Sequence, residues 1–380
     1  MCTRTHHRHS IFCILPPNIL RKIAENGTPA QRSDALQTLA TDQTFRAMRA
    51  DARLAAARRP QGPSVLSAEG EKQRTIYDAG HQQNLPGVVV RAEGADPTGD
   101  EAVDEAYDGL GATFDFYWDV YQRNSIDDEG LPLLGTVHFG QNYDNAFWNG
   151  QQMVFGDGDG ELFNRFTISL DVIGHELTHG VTQDEAQLVY FNQSGALNES
   201  VSDVFGSLVK QFKLGQTADQ ADWLIGAGLL TQAVQGVALR SMKAPGTAYD
   251  DPVLGKDPQP AHMRDYVYTW QDNGGVHINS GIPNHAFYLA ATNIGGQAWE
   301  KAGRIWYDTL RDSALRPATG FSRFARLTVT IAGRLYGPNS PEQQAVHEAW
   351  GEVGIRTTLP TTTTKSGGAK TTDKTKGRGQ

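Results

Sequence analysis

The segment Asp171-Val-Ile-Gly-His-Glu-Leu-Thr-His-Gly180 places two histidines four residues apart, His175 and His179, with Glu176 beside the first. On an α-helix, residues i and i+4 lie on one face, with Cβ atoms roughly 6 Å apart. Two imidazole nitrogens can then bind one metal ion. Glu176 is rotated by about 100° around the helix, so it is predicted to act as a general base on a water at the metal. Taken alone, the motif also fits an ordinary helix with two histidines.

A second predicted helix supplies the carboxylates that such a site needs. Glu199 follows in the stretch Gly195-Ala-Leu-Asn-Glu-Ser-Val-Ser-Asp203. Catalytic zinc takes three protein ligands and keeps one position open for water, so Glu199 is predicted to be the third ligand. Asp203, with Asn198 as a second candidate, is predicted to accept the N–H of a ligating histidine and fix its tautomer. A solvated acidic helix face is the alternative, but the neighbouring residues are largely apolar.

The two motifs together resemble the thermolysin family of zinc metalloendopeptidases, over roughly residues 72–356. Further stretches match the family in its own order, which chance matches to short motifs do not explain. They are Asn145-Ala-Phe-Trp-Asn-Gly150, Gly156-Asp-Gly-Asp-Gly160, Leu239-Arg-Ser-Met242 and Asp272-Asn-Gly-Gly-Val-His-Ile-Asn-Ser280. The resemblance implies a neutral endopeptidase that acts on proteins and peptides and binds one Zn²⁺ ion through His175, His179 and Glu199.

The resemblance also implies roles for the other catalytic positions. Peptide hydrolysis develops negative charge on the carbonyl oxygen, and donors aimed at it stabilise the transition state. Tyr190 and His277 match the family's two donors, and Asp272 matches the carboxylate that orients the histidine. Glu176 would take a proton from water and pass it to the leaving amine.

Substrate binding is implied at three further places. Asn145 and the backbone of Ala146 resemble the edge-strand contact to an extended peptide, which gives main-chain hydrogen bonds with little sequence preference. Arg240 resembles the arginine that contacts a substrate carbonyl. The pocket after the scissile bond would be apolar and would prefer a bulky hydrophobic residue. Its matched wall consists of Phe163, Val172 and Leu239.

The sequence departs from the family at the double calcium site. Asp171 and Asp222 match two of its ligands, but Lys210 stands where a glutamate is expected, and other acidic positions are also replaced. Calcium needs six to eight oxygen ligands, whereas a lysine brings a positive charge. We therefore expect Lys210 to pair with one or both aspartates and the double site to be lost, with calcium elsewhere still possible. Gly156–Gly160 is interpreted as a tight turn rather than a calcium loop.

Charge and hydropathy exclude some function classes. The formal net charge is −9, of which residues 1–67 carry +6 and residues 357–380 carry +4, so residues 68–356 carry −19. An acidic body argues against nucleic-acid binding, which requires a basic surface. No apolar run approaches the length of a membrane span. Both cysteines, Cys2 and Cys13, precede the predicted catalytic region.

Residues 1–67 are interpreted as a propeptide. Ile11–Leu15 is too short for a signal-peptide core and is followed by Pro16-Pro17. The segment resembles the short inhibitory propeptide of the protealysin-like branch of the family, so we expect cleavage between Ala57 and Arg74. Export by a non-classical route is expected, with a cytoplasmic location as the alternative. Cys13 either reaches the zinc as a thiolate or packs as a small apolar side chain.

The predicted architecture is α+β and two-lobed, with the zinc site in the cleft. A β-rich lobe with the active-site helix spans residues 68–185, a helical lobe spans 186–356, and a disordered basic tail spans 357–380. Strands are predicted at 87–90, 136–139 and 152–155. Helices are predicted from Ser33 to about Arg59 and at 104–121, 218–234, 282–293, 297–310 and 341–353. The chain is expected to be a monomer.

Two other functions are compatible with the same residues. A non-proteolytic binding protein could keep the fold, although no proposed catalytic position is substituted. An aminopeptidase could use the same zinc ligands, but it needs a carboxylate subsite for the free amine, and no stretch of the sequence indicates one.

Overall fold

The computed structural model describes residues 12–56 and 68–359. Residues 57–67 of the expected cleavage region and residues 360–380 of the predicted tail lie outside these ranges. The described part is α+β and consists of a β-rich lobe followed by a helical lobe, as predicted. None of the helices in the described ranges combines the length and hydropathy that a membrane span needs.

The first lobe is built on one mixed sheet of six strands. In spatial order these are β1 (Phe12–Cys13), β5 (Ala146–Trp148), β6 (Met153–Phe155), β4 (Leu133–Val137), β2 (Arg74–Asp78) and β3 (Val88–Ala92). The central strands β6, β4 and β2 are parallel, whereas β3 and β5 run antiparallel to their neighbours. Strand β1 pairs antiparallel with β5, so the N-terminal segment extends the sheet at that edge.

Long helices carry the rest of the fold. Helix α3 (Glu101–Tyr121) packs on the sheet, and Asp100 caps its N-terminus by accepting the amides of Ala102 and Val103. The N-terminal segment contributes α1 (Pro17–Asn26) and α2 (Pro29–Ala56). The helical lobe contains α5 (Asn192–Leu214), α6 (Asp272–Asn279), α7 (Gly281–Ile294), α8 (Ala302–Leu310), α9 (Phe321–Tyr336) and α10 (Pro341–Glu352).

Two facing glycines bring the active-site helices together. Helix α4 (Leu170–Glu185) carries the His-Glu-x-x-His motif and packs along α5. A Cβ on Gly174 would approach the Cα of Gly206 to 3.0 Å, and one on Gly206 would collide with the carbonyl of Asp171. Since larger side chains at either place would separate the helices, this close approach allows groups on α5 to reach the histidines on α4.

The secondary-structure prediction was wrong in several places. Residues 218–234 form no long helix; the region contains turns and the short strand β7 (Leu224–Ile225), which pairs with β8 (Arg240–Ser241). Trp223, Gly226 and Gly228 there have positive φ angles, which a helix does not allow. Helix α8 starts at Ala302 rather than Gln297.

The N-terminal helices were also mispredicted. Pro17 begins α1, which was not predicted, and Pro29 begins α2, which starts before Ser33. At the first helical position proline lacks only an N–H that the helix does not use, and its fixed φ suits the helix, so both prolines favour these earlier starts.

Candidate active site

Three buried side chains from α4 and α5 converge on one point. His175 Nε2 lies 3.0 Å from His179 Nε2. Glu199 places Oε2 at 3.6 Å from His175 Nε2 and Oε1 at 3.5 Å from His179 Nε2. All three residues are at most 1% exposed. The i, i+4 spacing on one helix and the close packing of the two helices therefore produce one cluster of two nitrogens and a carboxylate.

This donor set fits zinc. Ligands at 2.0–2.1 Å in a tetrahedron lie roughly 3.3 Å from one another, close to the separations found here. Glu199 Oε2 is buried and accepts no hydrogen bond from any described residue, as expected for an oxygen reserved for a cation. Burial holds the pKa of His179 well below its usual value, so its imidazole is neutral and keeps a lone pair for a metal.

Glu176 also lies near the two imidazoles, since one oxygen of its carboxylate falls within 4.8 Å of a nitrogen on each. Its Oε2 accepts the amide of Trp148 on β5 at 3.0 Å. By distance alone Glu176 could be taken for a ligand. The β5 amide binds Oε2 of Glu176, whereas Oε2 of Glu199 accepts no hydrogen bond from a described residue, which makes Glu199 the better candidate ligand.

Each histidine is held by a partner on its other ring nitrogen. His175 Nδ1 lies 2.8 Å from Asp203 Oδ1, and His179 Nδ1 lies 2.7 Å from Asn198 Oδ1. Such contacts fix the tautomer that presents Nε2 to the metal. Burial would raise the pKa of Asp203, but Arg240 and His175 outweigh it and hold that pKa below its usual range.

Tyr190 and His277 meet on the cleft side of Glu199. Tyr190 Oη lies 3.2 Å from His277 Nε2 and donates a hydrogen bond to Glu199. His277 Nδ1 lies 2.7 Å from Asp272 Oδ1. Burial would lower the pKa of His277, but the carboxylates of Asp272 and Glu199 raise it above its usual value.

The turn that carries this pair has an unusual backbone. Asn273, Gly274 and Gly275 have left-handed φ angles inside α6. A Cβ on Gly274 would collide with the side chain of Asn192, so a larger residue does not fit. The turn folds the chain back between Asp272 and His277 and brings their side chains together.

The N-terminal segment lies in the cleft as an extended strand. Ile14 N donates to Ala146 O at 3.2 Å, and Leu15 N donates to Asn145 Oδ1 at 3.0 Å. Arg240 Nη1 donates to Ile14 O at 3.1 Å, and His277 Nε2 lies 3.1 Å from Cys13 O. The side chains of Ile14 and Leu15 are fully buried. Edge-strand pairing is the mode by which clefts bind extended peptides.

The sequence-predicted substrate residues surround this strand. Asn145, Ala146 and Arg240 contact its backbone, as described above. The predicted pocket wall is buried within the same apolar cluster as Ile14 and Leu15. Its members are Phe163, Val172 and Leu239.

Sequence reasoning missed three residues that support the site. Ser202 Oγ lies 2.9 Å from His179 Nδ1. Asn284 Nδ2 donates to Asp203 Oδ2 at 2.8 Å, and Gln259 Nε2 donates to His277 O at 2.8 Å. Ser202 lies one helical turn after Glu199 and could have been found by its spacing. Asn284 and Gln259 are distant in sequence from their partners, and no local pattern indicates them.

Cys13 faces the catalytic groups with its backbone. Its carbonyl oxygen is the atom near His277, while its side chain packs in an apolar cluster with Tyr143, Phe147 and Val154. This arrangement favours the apolar-packing interpretation over a thiolate ligand.

Lys210 occupies the region of the expected calcium site. Its Nζ lies 2.6 Å from Asp171 Oδ2 and 2.9 Å from Asp222 Oδ1, and it donates to Leu224 O at 2.9 Å. Both aspartates therefore have a cation as their partner.

Two stretches of the chain match descriptions of one known protein family. The family description "Thermolysin metallopeptidase, catalytic domain" matches residues 54–183, and "Thermolysin metallopeptidase, alpha-helical domain" matches residues 186–355. The chain belongs to the thermolysin family of metallopeptidases. Family membership makes it a zinc-dependent metalloendopeptidase with a β-rich catalytic lobe and a helical lobe.

Individual relatives resemble nearly the whole chain. The "Extracellular metalloprotease" of Pectobacterium carotovorum subsp. carotovorum is 59% identical over 91% of this chain and 96% of the relative. "Protease PrtS" of Photorhabdus sp. (strain Az29) is 50% identical over 90% and 92%. The solved structure "Precursor of Protealysin, Metalloproteinase from Serratia proteamaculans" has a TM-score of 0.83, with 58% identity over 90% of this chain and 99% of that chain. The similarity to a precursor is consistent with synthesis of this chain as a zymogen.

The expectation for localisation is corrected by these names. Export by a non-classical route was expected, with a cytoplasmic location as the alternative. Relatives from Pectobacterium carotovorum and Serratia marcescens are named extracellular, which points to secretion and contradicts that expectation.

Proposed function

We propose that the enzyme cleaves extended peptides before a bulky hydrophobic residue, and that residues 1–67 inhibit it until they are removed. The segment Cys13–Leu15 carries this proposal. Its backbone contacts Asn145, Ala146 and Arg240, the residues that the family resemblance assigns to substrate binding. Ile14 comes directly after Cys13, whose carbonyl oxygen lies 3.1 Å from His277 Nε2. If Cys13 O marks the place of a substrate carbonyl, the buried side chain of Ile14 marks the pocket after the scissile bond.

Zinc would be held by His175, His179 and Glu199. When bound, it lowers the pKa of water towards 7 and polarises the substrate carbonyl. Asp203 and Asn198 keep the two imidazoles in the tautomer that presents Nε2. The ligand set is supported by the mutual distances of 3.0–3.6 Å.

The proton transfers are assigned to Glu176. Its carboxylate would accept a proton from the attacking water and deliver it to the leaving amine. Tyr190 Oη and His277 Nε2 would donate to the carbonyl oxygen as it gains negative charge. Asp272 keeps the His277 ring oriented and favours its protonated form, which is the form that donates from Nε2.

The N-terminal segment would inhibit by occupying the site as a substrate does. Tyr143 donates to Asp42 on α2 at 2.6 Å, and Asn145 Nδ2 donates to the other oxygen of Asp42 at 3.0 Å. These contacts connect α2 to the same edge strand that binds Ile14. We propose the division into propeptide 1–67, lobes 68–185 and 186–356 and tail 357–380, in a monomer whose partners are protein and peptide substrates.

Calcium would have no role at the Lys210 position. The ammonium group already neutralises Asp171 and Asp222, and a divalent cation at the same place would be repelled by it. We therefore propose that the family's double calcium site is absent from this enzyme.

The catalytic assignment is tested by Glu176→Gln in the full chain. We expect kcat/KM on a quenched fluorescent peptide to fall about 10²- to 10⁴-fold, the usual contribution of a general base. If maturation is autocatalytic, mass spectrometry will find that wild type loses its N-terminal segment between Ala57 and Arg74 and that the variant keeps it. The matched control is Glu348→Gln, an exposed position on α10. Undiminished activity in Glu176→Gln would refute the role.

The specificity is tested with peptides that differ only after the scissile bond. Leucine there should give a kcat/KM at least about tenfold above alanine, since an apolar pocket gains a factor of this size from extra methylene groups. Blocking the amino terminus should leave cleavage unchanged. A requirement for a free amine would instead indicate an aminopeptidase. Equal rates of cleavage before leucine, alanine and aspartate would contradict the proposed apolar pocket.

A further inference from the structure

A second cluster of metal-ligating side chains lies at the carboxyl edge of the parallel strands. His81, His138 and Asp157 come three, one and two residues after the ends of β2, β4 and β6. These strands are adjacent in the sheet, so their following loops meet at one edge. The carboxyl edge of a parallel sheet is where α/β proteins commonly bind ligands.

The three side chains are close enough to share one ion. A ligand atom from each lies within 4.8 Å of those of the other two. His138 Nδ1 is 3.0 Å from both oxygens of Asp157, and His81 Nδ1 is 3.4 Å from Asp157 Oδ2. Ligands at 2.0–2.1 Å around a tetrahedral ion are separated by roughly 3.3 Å. The ligand atoms of the three side chains therefore need to move only slightly to coordinate one metal ion.

Asp100 supplies the outer partner that a ligating histidine normally has. Its Oδ2 lies 3.0 Å from His138 Nε2, while its Oδ1 caps α3. A histidine that binds a metal through one nitrogen usually donates its other N–H to a carboxylate. His138 is thus oriented with Nδ1 towards Asp157 and His81, and Nε2 towards a residue that helix capping holds in place.

The backbone at both histidines is in a rarely occupied conformation. His81 has φ +59° and His138 has φ +53°, in the left-handed region that few non-glycine residues adopt. The amide of His81 donates to the carbonyl of His138 at 2.8 Å, which ties the two loops together. Strained residues of this kind cluster at functional sites, where the surrounding structure holds them in place.

We propose that His81, His138 and Asp157 form a second metal site, distinct from the catalytic one, for a zinc-class divalent transition metal. Two imidazoles and one carboxylate are the donors that such metals prefer, whereas calcium and magnesium take oxygen ligands. The half-exposed side chain of His81 leaves room for water as the fourth ligand. Bound metal would link the loops that follow β2, β4 and β6.

The proximity of these side chains also has an explanation that involves no metal ion. A protonated His138 could sit between Asp100 and Asp157 as an imidazolium paired with two carboxylates. That arrangement needs no contribution from His81, whereas a metal needs its nitrogen. His81 therefore discriminates between the two explanations.

The test counts zinc in the full chain by mass spectrometry, after equilibration with micromolar zinc and gel filtration. All proteins carry Glu176→Gln to prevent self-cleavage, together with His6→Ser, His7→Ser and His9→Ser to remove the N-terminal histidines. We expect two zinc ions per chain in this parent, and one in His81→Gln and in Asp157→Asn. His347→Gln, a partly buried histidine on α10, is the matched control and should keep two. The remaining catalytic ion reports that each variant is folded.

A second variant separates the metal from a structural role of the cluster. Asn caps helices as well as Asp does, so Asp100→Asn keeps the cap of α3 but weakens the orientation of His138. Zinc calorimetry should give an affinity 10- to 100-fold lower for the second ion. A parent that binds one zinc only, or a His81→Gln variant that still binds two, would overturn the proposal in favour of the imidazolium.

Discussion

Asp203 illustrates how one buried carboxylate organises the catalytic site at the scale of single residues. Arg240 binds it through Nε and Nη2, at distances of 2.8–3.2 Å, and Asn284 donates to its Oδ2. The same Arg240 donates to the backbone of Ile14 in the cleft. One guanidinium thus links the partner of a proposed zinc ligand to the segment that we propose to occupy the substrate position, a link that the family resemblance did not indicate.

Asn284→Ala tests this arrangement. The variant removes a donor from Asp203 and loosens the orientation of His175, so we expect zinc affinity to fall about tenfold, at the low end for outer partners, since Asn284 acts through Asp203. Competition with a chelator measures the affinity. Asn293→Ala, an exposed change on the same helix, should have no effect. Equal zinc affinity in Asn284→Ala and wild type would show that Arg240 alone holds Asp203.

Asp251 gives a pH-dependent contribution to stability. Burial would raise its pKa, but the amides of Gln235, Leu254 and Val253 outweigh burial and hold the pKa below its usual value. Because the folded pKa is lowered, the stabilisation is complete above the unfolded pKa of about 3.9 and is lost as pH falls through the folded value.

Urea unfolding between pH 3 and 7 measures this contribution, in the Glu176→Gln background to prevent self-cleavage. Asp251→Asn should be less stable at pH 7 by about 1 kcal/mol, the difference between charged and neutral acceptors. The two unfolding free energies should converge at acid pH. A constant difference across the range would contradict the prediction.

At the scale of elements, α4 and α5 form the scaffold of the zinc site, and Lys210 joins them at one end. Its Nζ contacts Asp171 in the first turn of α4 and Leu224 O in β7. Burial would lower the pKa of Lys210, but Asp171 and Asp222 outweigh it and raise that pKa. A cation from the chain itself therefore pairs with both aspartates.

Lys210→Met should destabilise the fold, because it leaves the buried carboxylate of Asp171 without its cation. We expect a loss of about 3 kcal/mol, the low end for breaking a buried pair, since Asp222 is partly exposed. Thermal unfolding with and without calcium measures this loss of stability, and any rise in Tm caused by calcium should be equal in wild type and in Asp222→Asn. Lys213→Met, an exposed change on the same helix, is the control. A calcium-dependent rise in the Tm of wild type that Asp222→Asn abolishes would contradict the proposed loss of the double site.

At the scale of the whole molecule, the N-terminal segment and the catalytic lobes form one packed unit. Residues from β1, α1 and α2 belong to the same buried clusters as the sheet and the helices. Strand β1 completes the sheet at the edge where substrates are expected to bind. The strand that we propose as the inhibitory segment is therefore part of the folded sheet.

Ile14→Asp should open the cleft in the intact precursor. Removing a buried isoleucine forfeits about 1.5–3 kcal/mol of burial, which corresponds to at least a tenfold change in an equilibrium. In the Glu176→Gln background, a fluorescent hydroxamate that binds the zinc should therefore bind at least tenfold more tightly to Ile14→Asp. The control is Leu36→Asp, since Leu36 is 56% exposed on α2. Equal affinities would show that the strand does not block the site.

The sequence determined what depends on local spacing. The four-residue interval between His175 and His179 places both on one helix face, and the interval from Glu199 to Asp203 does the same on the next helix. Because helical geometry repeats every 3.6 residues, these relations hold before any tertiary contact forms. The family and the two-lobed fold followed from several such motifs in order.

Tertiary structure alone decided the contacts between residues distant in the chain. Asn284 reaches Asp203, Cys13 O reaches His277, and the loops after β2, β4 and β6 bring His81, His138 and Asp157 together. Residues 218–234, which were predicted as a helix, form turns and the short strand β7 instead. These outcomes depend on sheet order and helix packing, which are set by burial of the whole core, and no local period in the sequence encodes them.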